Sequence, residues 1–295
     1  MDASDLKVFE AVARLGGMNR AAAALNTVQS NVTARIRQLE DELGAALFQR
    51  HSRGVALTPA GRRLLPYAAR IANLIADARR AVADDGRPAG PLIIGSLETT
   101  AALRLPPVLS AFAEAHPDVD VTLTTGTTCE LTEKVLDHSI EGAFVCGPVN
   151  HAELAGDAIF REELAVVSSR AVRSLEAALG ARDLKVIVLR AGCSYRQRLE
   201  DLLNRRGIAA MRTLEFGTIE GLLGCVAAGL GITLLPRGMV EMVRHANRLA
   251  VHELPADEAF VDTVFIRPHE AYASSALVAF LHAVRPAAPR ASAAE

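Results

Sequence analysis

The sequence predicts a multidomain α+β protein with an all-α head, a long linker helix and a two-lobed α/β domain. A chain of 295 residues is too long for one ordinary core and suggests about two domains. Helical periodicity dominates up to about residue 83, and a polar Gly/Pro-rich stretch at 84–91 precedes alternating strands and helices. The predicted segments are a head at 1–58, a linker helix at 59–87, a first lobe at 91–160 and 267–288, and a second lobe at 161–266.

Composition and charge limit the function classes. Trp is absent and aromatic residues make up only 4%, which argues against an aromatic-rich carbohydrate binder or single-strand RNA binder. Residues 1–80 hold 12 Lys and Arg against 7 Asp and Glu, a net charge of +5, whereas the rest of the chain carries −7. A basic head on an acidic body is expected when only one end meets a polyanion.

The N-terminus and the cysteines indicate no targeting segment and no metal. The first five residues carry acids where a secretory signal would be basic, and no apolar run approaches about 18 residues, so we expect a cytoplasmic protein without a membrane partner. The four cysteines, Cys129, Cys146, Cys193 and Cys225, lie far apart without zinc spacing. We interpret them as buried or idle thiols, with redox sensing as an unsupported alternative, and expect neither a metal nor a cofactor.

Three helices are predicted within the head. The first is amphipathic and ends at Gly16, Asn19 is the expected N-cap of a short second helix, and the third runs from about 27–30 toward Gly44. The inward-facing residues recur at helical spacing: Leu6, Phe9, Val12, Ala13, Ala21, Ala22, Leu25, Val32, Ile36, Leu39 and Leu43.

The outer face of the third helix is polar and supplies the first candidate DNA-binding residues. These are Gln29 at its tip, Ser30, Thr33, Arg37 and, on its flank, Arg35. A helix with such a face suits the major groove, where Gln can pair with adenine and Arg with guanine or phosphate. An ordinary three-helix unit with a solvated face explains the periodicity equally well.

Many fixed positions in the first sixty residues coincide with one known signature. They are Leu6, Phe9, Ala21, Ala22, Leu25, Gln29, Val32, Ile36, Leu39, Glu40, Leu43, Gly44, Leu47, Phe48, Arg50, Leu57, Thr58 and Gly61. On these residues the head resembles the winged helix-turn-helix of the LysR family of bacterial transcriptional regulators. The family usually has Ser or Thr at the position of Val28 and often Arg at that of Ala34, so these departures put the base contacts in doubt.

The resemblance implies a wing after Phe48 and a dimer built on the linker helix. Arg50 and Arg53 of the wing suit phosphate contacts, although a solvated basic loop is the alternative. Thr58 and Pro59 predict the start of a helix to about residue 83, with a bend near Pro66. Its heptad seam gives the candidate dimerisation residues Leu64, Ala68, Ile71, Ile75, Ala78 and Val82. A helix packed back on its own domain would show the same periodicity.

Alternating elements after residue 91 predict parallel sheets in two lobes. Strands are expected at 92–95, 119–124, 143–146, 164–168, 186–189, 213–216, 232–235 and 261–266, and helices at 103–115, 131–138, 195–206, 219–228 and 271–284. The order of elements, with pieces such as Gly229 to Ile232 before Leu235 and Pro236, resembles the effector-binding domain of LysR regulators, itself similar to periplasmic solute-binding proteins.

Hydroxyl-rich loops follow several predicted strands, where ligands of open α/β sheets settle beside helix N-termini. They give the candidate effector-binding residues Ser96, Thr99, Thr100, Thr127, Thr128, Ser194 and Thr218, although helix capping explains any one of them. Arg104, Arg190 and Arg196 are candidate counter-charges for a carboxylate metabolite, whereas Glu98 would favour an amine. The sign of the effector's charge stays open.

Three function classes compete. A sequence-specific DNA-binding regulator with a metabolite switch accounts for both halves of the chain. An enzyme lacks support because no P-loop, zincin, hydrolase-elbow or dinucleotide motif is found, and a solute-binding protein would carry a signal sequence and no basic head. The expected partners are double-stranded DNA, a small-molecule effector and further copies of the chain in a dimer or tetramer, with RNA polymerase as a candidate.

Overall fold

A computed structural model describes residues 1–51, 54–180, 183–208, 211–243 and 246–285. Its contacts divide the chain into two units. The first is Met1–Asp84 with Asp137–Ser139, and the second is Asp85–Leu136 with the residues from Ile140 on. The predicted phosphate contact Arg53 and residues 286–288, the end of the predicted first lobe, lie outside the described residues. For Arg50 only the backbone is described.

The first unit contains four helices and one hairpin. They are α1 Ala3–Leu15, α2 Met18–Ala24, α3 Gln29–Leu43, β1 Phe48–His51, β2 Gly54–Leu57 and α4 Pro59–Ala83. Gly16 and Gly44 end α1 and α3 with φ of 65° and 64°, a left-handed backbone that glycine adopts without strain. The N-cap of α2 is Gly17, so the prediction of Asn19 was wrong by two residues.

The core of the first unit joins the helices and the hairpin. Phe9 on α1 is fully buried, and its ring centroid lies 5.2 Å from that of Phe48 on β1. The Thr58 hydroxyl accepts from the Gly61 amide at 3.0 Å and donates to the Ala46 carbonyl at 2.7 Å, which ties the start of α4 to this core. A Cβ at position 61 would lie 2.3 Å from the Leu47 carbonyl oxygen, so this close approach requires glycine.

The second unit contains nine strands, nine α-helices and a 3-10 turn among its described residues. In chain order they are β3 Gly90–Ser96, α5 Glu98–Leu103, α6 Leu105–Ala115, β4 Val119–Thr125, α7 Thr128–Leu136, β5 Gly142–Cys146, β6 Leu154–Ser169, α8 Leu175–Leu179, β7 Lys185–Leu189, α9 Ser194–Arg205, β8 Arg212–Phe216, α10 Ile219–Ala227, β9 Thr233–Pro236, α11 Arg237–Met242, the turn Ala246–Arg248, β10 Leu249–Glu253, α12 Ala256–Ala259, β11 Phe260–Pro268 and α13 Ser275–Val284.

The strands form two lobes that share β6. The first lobe has the order β4-β3-β5-β11-β6, and the second places β10 and β9 on either side of the end of β6. β7 and β8 pair in parallel and join β9 through a bridge between Val186 and Ile232. β11 runs antiparallel to β5 and β6, so the sheet of the first lobe is mixed and the prediction of a parallel sheet was incomplete.

The chain crosses between the lobes on two neighbouring antiparallel strands. β6 pairs with β11 as far as Glu163 and then enters the second lobe. Phe260, the first residue of β11, already pairs with Glu163. The predicted boundary at 266/267 therefore falls inside a strand of the first lobe. The chain returns to the first lobe at Phe260, earlier than predicted, because the whole of β11 pairs with residues 154–163 of β6.

Candidate nucleic-acid interface and ligand cleft

Helices α2 and α3 meet across the turn at residues 25–28. Ala21 and Ala22 are buried on α2 and let α3 approach closely, while Val32, Ile36 and Leu39 of α3 are buried beneath it. Leu43, predicted on the same inner stripe, is 40% exposed because the helix ends there at Gly44. The burial of one stripe leaves the opposite face of α3 at the surface.

The outer face of α3 presents most of the predicted DNA-binding residues. Gln29, Ser30 and Arg37 are exposed, and Thr33 is half-buried. The Gln29 side-chain amide donates to the Thr33 hydroxyl at 3.1 Å, one helical turn away. These groups share the surface that a duplex could reach.

Arg35 is used within its own domain. Its guanidinium donates to the Ser4 hydroxyl at 2.5 Å and lies 3.4 Å from the carboxylate of Asp5, which is almost fully buried in the first turn of α1. Removal of Arg35 would leave that carboxylate without its cation. Arg35 therefore contributes to the packing of α3 on α1, and its predicted role as a DNA contact stays a prediction.

The hairpin β1–β2 lies where the wing was predicted. Arg50 stands on β1 opposite Val55, next to the end of the described strand. The backbone thus places Arg50 on the hairpin beside the helix-turn-helix.

Helix α4 divides its apolar face between two surroundings. Ala68 is 1% exposed in the core of the first unit, and Leu64 and Ile71 pack against that core, so half of the predicted dimer seam contacts its own domain. These residues are buried because α1 packs against the first turns of α4. Four other apolar residues stay exposed and form what we call the linker stripe: Tyr67, Leu74, Ala78 and Val82.

A cleft opens at the carboxyl ends of strands from both lobes. Its lining comes from the loops after β3, β4, β7 and β8 and from the start of α9, as expected for an open α/β sheet. The lining residues are Leu97, Glu98, Thr99, Thr125, Gly126, Thr127, Leu189, Arg190, Cys193, Tyr195 and Gly217.

Of the seven predicted hydroxyl residues, Thr99 and Thr127 line this cleft. Thr127 also caps α7, since its hydroxyl accepts from the Glu130 amide at 3.2 Å. Ser194 donates to Thr128 at 2.8 Å in a contact that joins the lobes beside the cleft.

The remaining three hydroxyls lie outside the cleft lining. Ser96 is fully buried and its hydroxyl bonds to the Leu97 carbonyl, and Thr100 is also buried. Thr218 caps α10 by accepting from the Gly221 amide at 3.3 Å. Helix capping and burial therefore account for these positions.

Two of the three candidate arginines, Arg104 and Arg196, are paired with carboxylates of the protein. Arg104 forms a bidentate pair with the buried Glu162, at 2.8 and 3.0 Å, and Arg196 pairs with Glu200 and Glu215. Neither guanidinium lines the cleft, and both are paired with carboxylates of the protein itself.

Arg190 and Glu98 bring opposite charges to the cleft lining. Arg190 is 55% exposed and its guanidinium lies 3.6 Å from Glu130. The amide of Thr127 lowers the pKa of Glu130 by hydrogen bonding to its carboxylate, and Arg190 adds to this shift. The cleft lining therefore contains one exposed cation, Arg190, and one carboxylate, Glu98.

Tyr195 was missed as a site residue because an aromatic at a helix start gives no sequence signal for ligand binding. It is 4% exposed, and its hydroxyl lies 3.2 Å from the Thr99 hydroxyl of the other lobe. Burial raises the pKa of Tyr195, so the phenol is neutral. Arg198, one turn along α9, donates to the Gly147 carbonyl at 2.9 Å. Side chains of α9 thus hold the two lobes together beside the cleft.

Two of the four cysteines, Cys146 and Cys193, are buried, and Ser168 and His252 form a buried pair. Burial raises the pKa of Cys146 and Cys193, which keeps both thiols protonated. The Ser168 hydroxyl donates to the Ser169 carbonyl, so the His252 ring N–H donates to Ser168 at 2.7 Å. Burial lowers the pKa of His252. A nucleophilic serine would require the opposite proton direction and access to solvent.

Metal-ligand clusters and membrane-spanning helices are both absent from the described part of the chain. No cluster of His, Cys, Asp or Glu there could hold a metal ion. Among the same residues, every helix is too short or too polar to cross a membrane.

Two family models together match most of the chain. Residues 3–62 match the bacterial regulatory helix-turn-helix protein of the lysR family, and residues 85–289 match the LysR substrate binding domain. The chain belongs to the LysR family. It is a DNA-binding transcriptional regulator with a substrate-binding domain, not an enzyme.

LysR regulators of Bacillus subtilis strain 168 resemble the chain over nearly its full length. The HTH-type transcriptional regulator GltR is 40% identical over 95% of this chain and 95% of its own. The uncharacterized regulator YusT is 43% identical over 97% of this chain and 96% of its own.

Solved structures of full-length regulators share the fold. CbnR in complex with its target DNA is 25% identical, with a TM-score of 0.68 over 96% of this chain and 99% of that one. A full-length OxyR variant from Pseudomonas aeruginosa is 19% identical, with a TM-score of 0.66 over 96% and 94%.

Proposed function

We propose that this LysR regulator reads operator DNA with α3 and is switched by a small carboxylate bound between the two lobes. The observation that carries the first part is the face of α3, where Gln29, Ser30 and Arg37 are exposed above a fully buried inner stripe. Similarity to CbnR, which was solved with its target DNA, supports the same use of the head.

In this proposal Gln29, Thr33 and Arg37 contact bases, while Arg50 and Arg53 contact phosphate. Gln can bond two edges of adenine and Arg two edges of guanine, whereas phosphate contacts position the protein without reading sequence. A dimer would bind a partly palindromic site with half-sites about one helical turn apart, ~34 Å, or a multiple of it. Tetramer formation and contact with RNA polymerase are expectations from the family.

Arg37→Ala should weaken binding to the cognate site by ~1–3 kcal/mol and relax its sequence preference. The cognate site is the one that the wild-type protein selects from a random duplex library. Arg53→Ala removes the same charge but should weaken all sequences alike and reduce the salt slope by about one. Arg14→Ala, at an exposed position in the last turn of α1, is the control. If both variants reduce the salt slope and keep the wild-type sequence preference, α3 does not make the base contacts.

The second part of the proposal rests on the cleft. Its cation, Arg190, is 55% exposed and only loosely paired, at 3.6 Å, so it can turn to a ligand carboxylate without breaking a short ion pair. Thr99 and Tyr195 contribute hydroxyls from opposite lobes at the same place. A ligand that binds the closed cleft more tightly than the open one would shift the arrangement of the lobes.

Arg190→Gln should weaken binding of the effector carboxylate by about 10- to 100-fold, since a hydrogen bond to a charged group is worth ~1.5–3 kcal/mol. Candidates are short mono- and dicarboxylates and their α-amino forms, screened by thermal shift and measured by calorimetry. Arg212→Gln is a matched control, because Arg212 is exposed and lies 3.5 Å from Asp183 away from the cleft lining. Equal losses in the two variants would contradict the assignment, and a loss confined to Glu98→Gln would identify an amine as the recognised group.

A further inference from the structure

The tip of α3 carries an apolar side chain where a polar one is favoured. Val28 is the N-cap of this helix, with extended backbone, and makes no side-chain capping bond. Its side chain is 65% exposed. Ser, Thr, Asn and Asp are strongly preferred at this position because their oxygens satisfy orphan amides. Val28 thus gives up a stabilising bond and leaves apolar surface in water.

The polar groups around Val28 are paired with one another. The Thr27 hydroxyl accepts from the Asn31 side-chain amide at 3.0 Å, and Gln29 donates to Thr33 at 3.1 Å. Both pairs link residues one helical turn apart. Val28 is therefore an exposed apolar residue between Thr27 and Gln29, whose side chains are both hydrogen-bonded, at the end of the helix that is proposed to enter the groove.

The chemistry of a valine side chain narrows what it can recognise in the major groove. It has no donor or acceptor, so it cannot pair with the polar edges of guanine, cytosine or adenine, nor with phosphate. The C5-methyl of thymine is the apolar group that the major groove displays, and apolar side chains contact it. Gln29, the next residue, suits an adenine at the neighbouring base pair.

We propose that Val28 reads the C5-methyl group of one thymine in each half-site, next to the base pair contacted by Gln29. This inference rests on the proposed docking of α3. It explains why the N-cap is apolar: the surface left exposed in the free protein becomes buried on cognate DNA. A single exposed apolar residue is otherwise normal on a protein surface, so the thymine contact must be tested directly.

The test replaces thymine by deoxyuridine, which removes only the methyl group, at one symmetric pair of positions at a time in the selected operator. With the wild-type dimer, one position should show a loss of about fourfold per half-site, the value expected for one buried methyl-sized group. Val28→Ala should remove this loss at that position and leave the response at other thymines unchanged. Leu43→Ala, which trims exposed apolar surface at the other end of α3, should keep the wild-type pattern.

A second variant separates recognition from folding. Val28→Ser restores a capping hydroxyl, so its melting temperature should be equal to or higher than that of the wild type while discrimination between thymine and deoxyuridine disappears. Identical deoxyuridine profiles for the wild type and Val28→Ala would overturn the inference. If Arg37→Ala still relaxes specificity in that case, the docking of α3 stands and only the role of Val28 is lost.

Discussion

Phe144→Ala is expected to lower the free energy of unfolding of the second unit by about 3–5 kcal/mol, the usual range for a fully buried phenylalanine. Phe144 is fully buried on β5, with ring centroids 4.9 Å from Phe265, 6.1 Å from Phe160 and 6.3 Å from Phe280. Its loss would leave a cavity between strands β6 and β11 and helix α13 that these elements cannot close. For a unit of this size the melting temperature should fall by about 10 °C, measured by calorimetry.

The matched control is Phe260→Ala on the neighbouring strand β11. Phe260 is 43% exposed and stacks against the guanidinium of Arg161 at 4.7 Å, so its removal should cost less than about 1 kcal/mol. The Phe144 carbonyl also accepts from the Leu97 amide at 3.0 Å, which anchors the first loop of the cleft. If the Phe144→Ala and Phe260→Ala proteins have the same melting temperature, this aromatic cluster does not stabilise the lobe.

Local signals predicted the head well because its helix ends are encoded within a few residues. Thr58 and Pro59 start α4, and Gly16 and Gly44 end α1 and α3, where the sequence placed these boundaries. Capping depends on one or two side chains and their own backbone, so no distant contact is needed to locate it. The N-cap of α2 was misplaced because glycine serves there and Asn19 lies inside the helix.

The first half of β6 could not be predicted from its own residues. Asp157, Arg161, Glu162 and Glu163 interrupt any apolar run, and the strand forms through pairing with β11, about a hundred residues later in the chain. Glu162 is buried there only because Arg104 reaches it from the end of α5. Whether a segment forms a strand depends more on such cross-strand partners than on an intrinsic preference of its own backbone.

The pocket opens at strand ends that the sequence singled out, but the sequence did not resolve which residues line it. Thr99 lines the cleft and Thr100 does not, although both stand in the first turn of α5. Adjacent residues of a helix differ by about 100° in direction, and the sequence does not give the rotation of α5. Arg190 and Arg104 were equivalent candidates until the buried carboxylate of Glu162 was found beside Arg104.

The heptad pattern of α4 mixed two surfaces for a related reason. Periodicity identifies an apolar face but not the partner that covers it. Ala68 is covered by its own domain, whereas Leu74 is 43% and Val82 is 90% exposed. Residues 67, 74, 78 and 82 keep the spacing of a helix–helix contact beyond the reach of α1. We therefore propose the linker stripe as the dimer surface; it keeps Ala78 and Val82 of the predicted seam and adds Tyr67 and Leu74.

Leu74→Glu should convert the dimer to a monomer and reduce affinity for the full operator by about 100-fold or more. A carboxylate at the centre of the linker stripe would have to be buried without a partner in the dimer. A dimer binds its second half-site at a high effective concentration, and a monomer loses that advantage. Sedimentation at micromolar concentration and binding to full and half operators measure the two effects.

Ala76→Glu is the matched control for this change. Ala76 is also exposed on α4, but two residues further along the helix it points about 160° away from Leu74. It adds the same charge at nearly the same distance from DNA, so it should stay dimeric and bind the full operator like the wild type. Affinity for an isolated half operator should be equal in all three proteins, since each head is intact. If Leu74→Glu remains a dimer, or if Ala76→Glu dissociates equally, the dimer contact lies elsewhere on the chain.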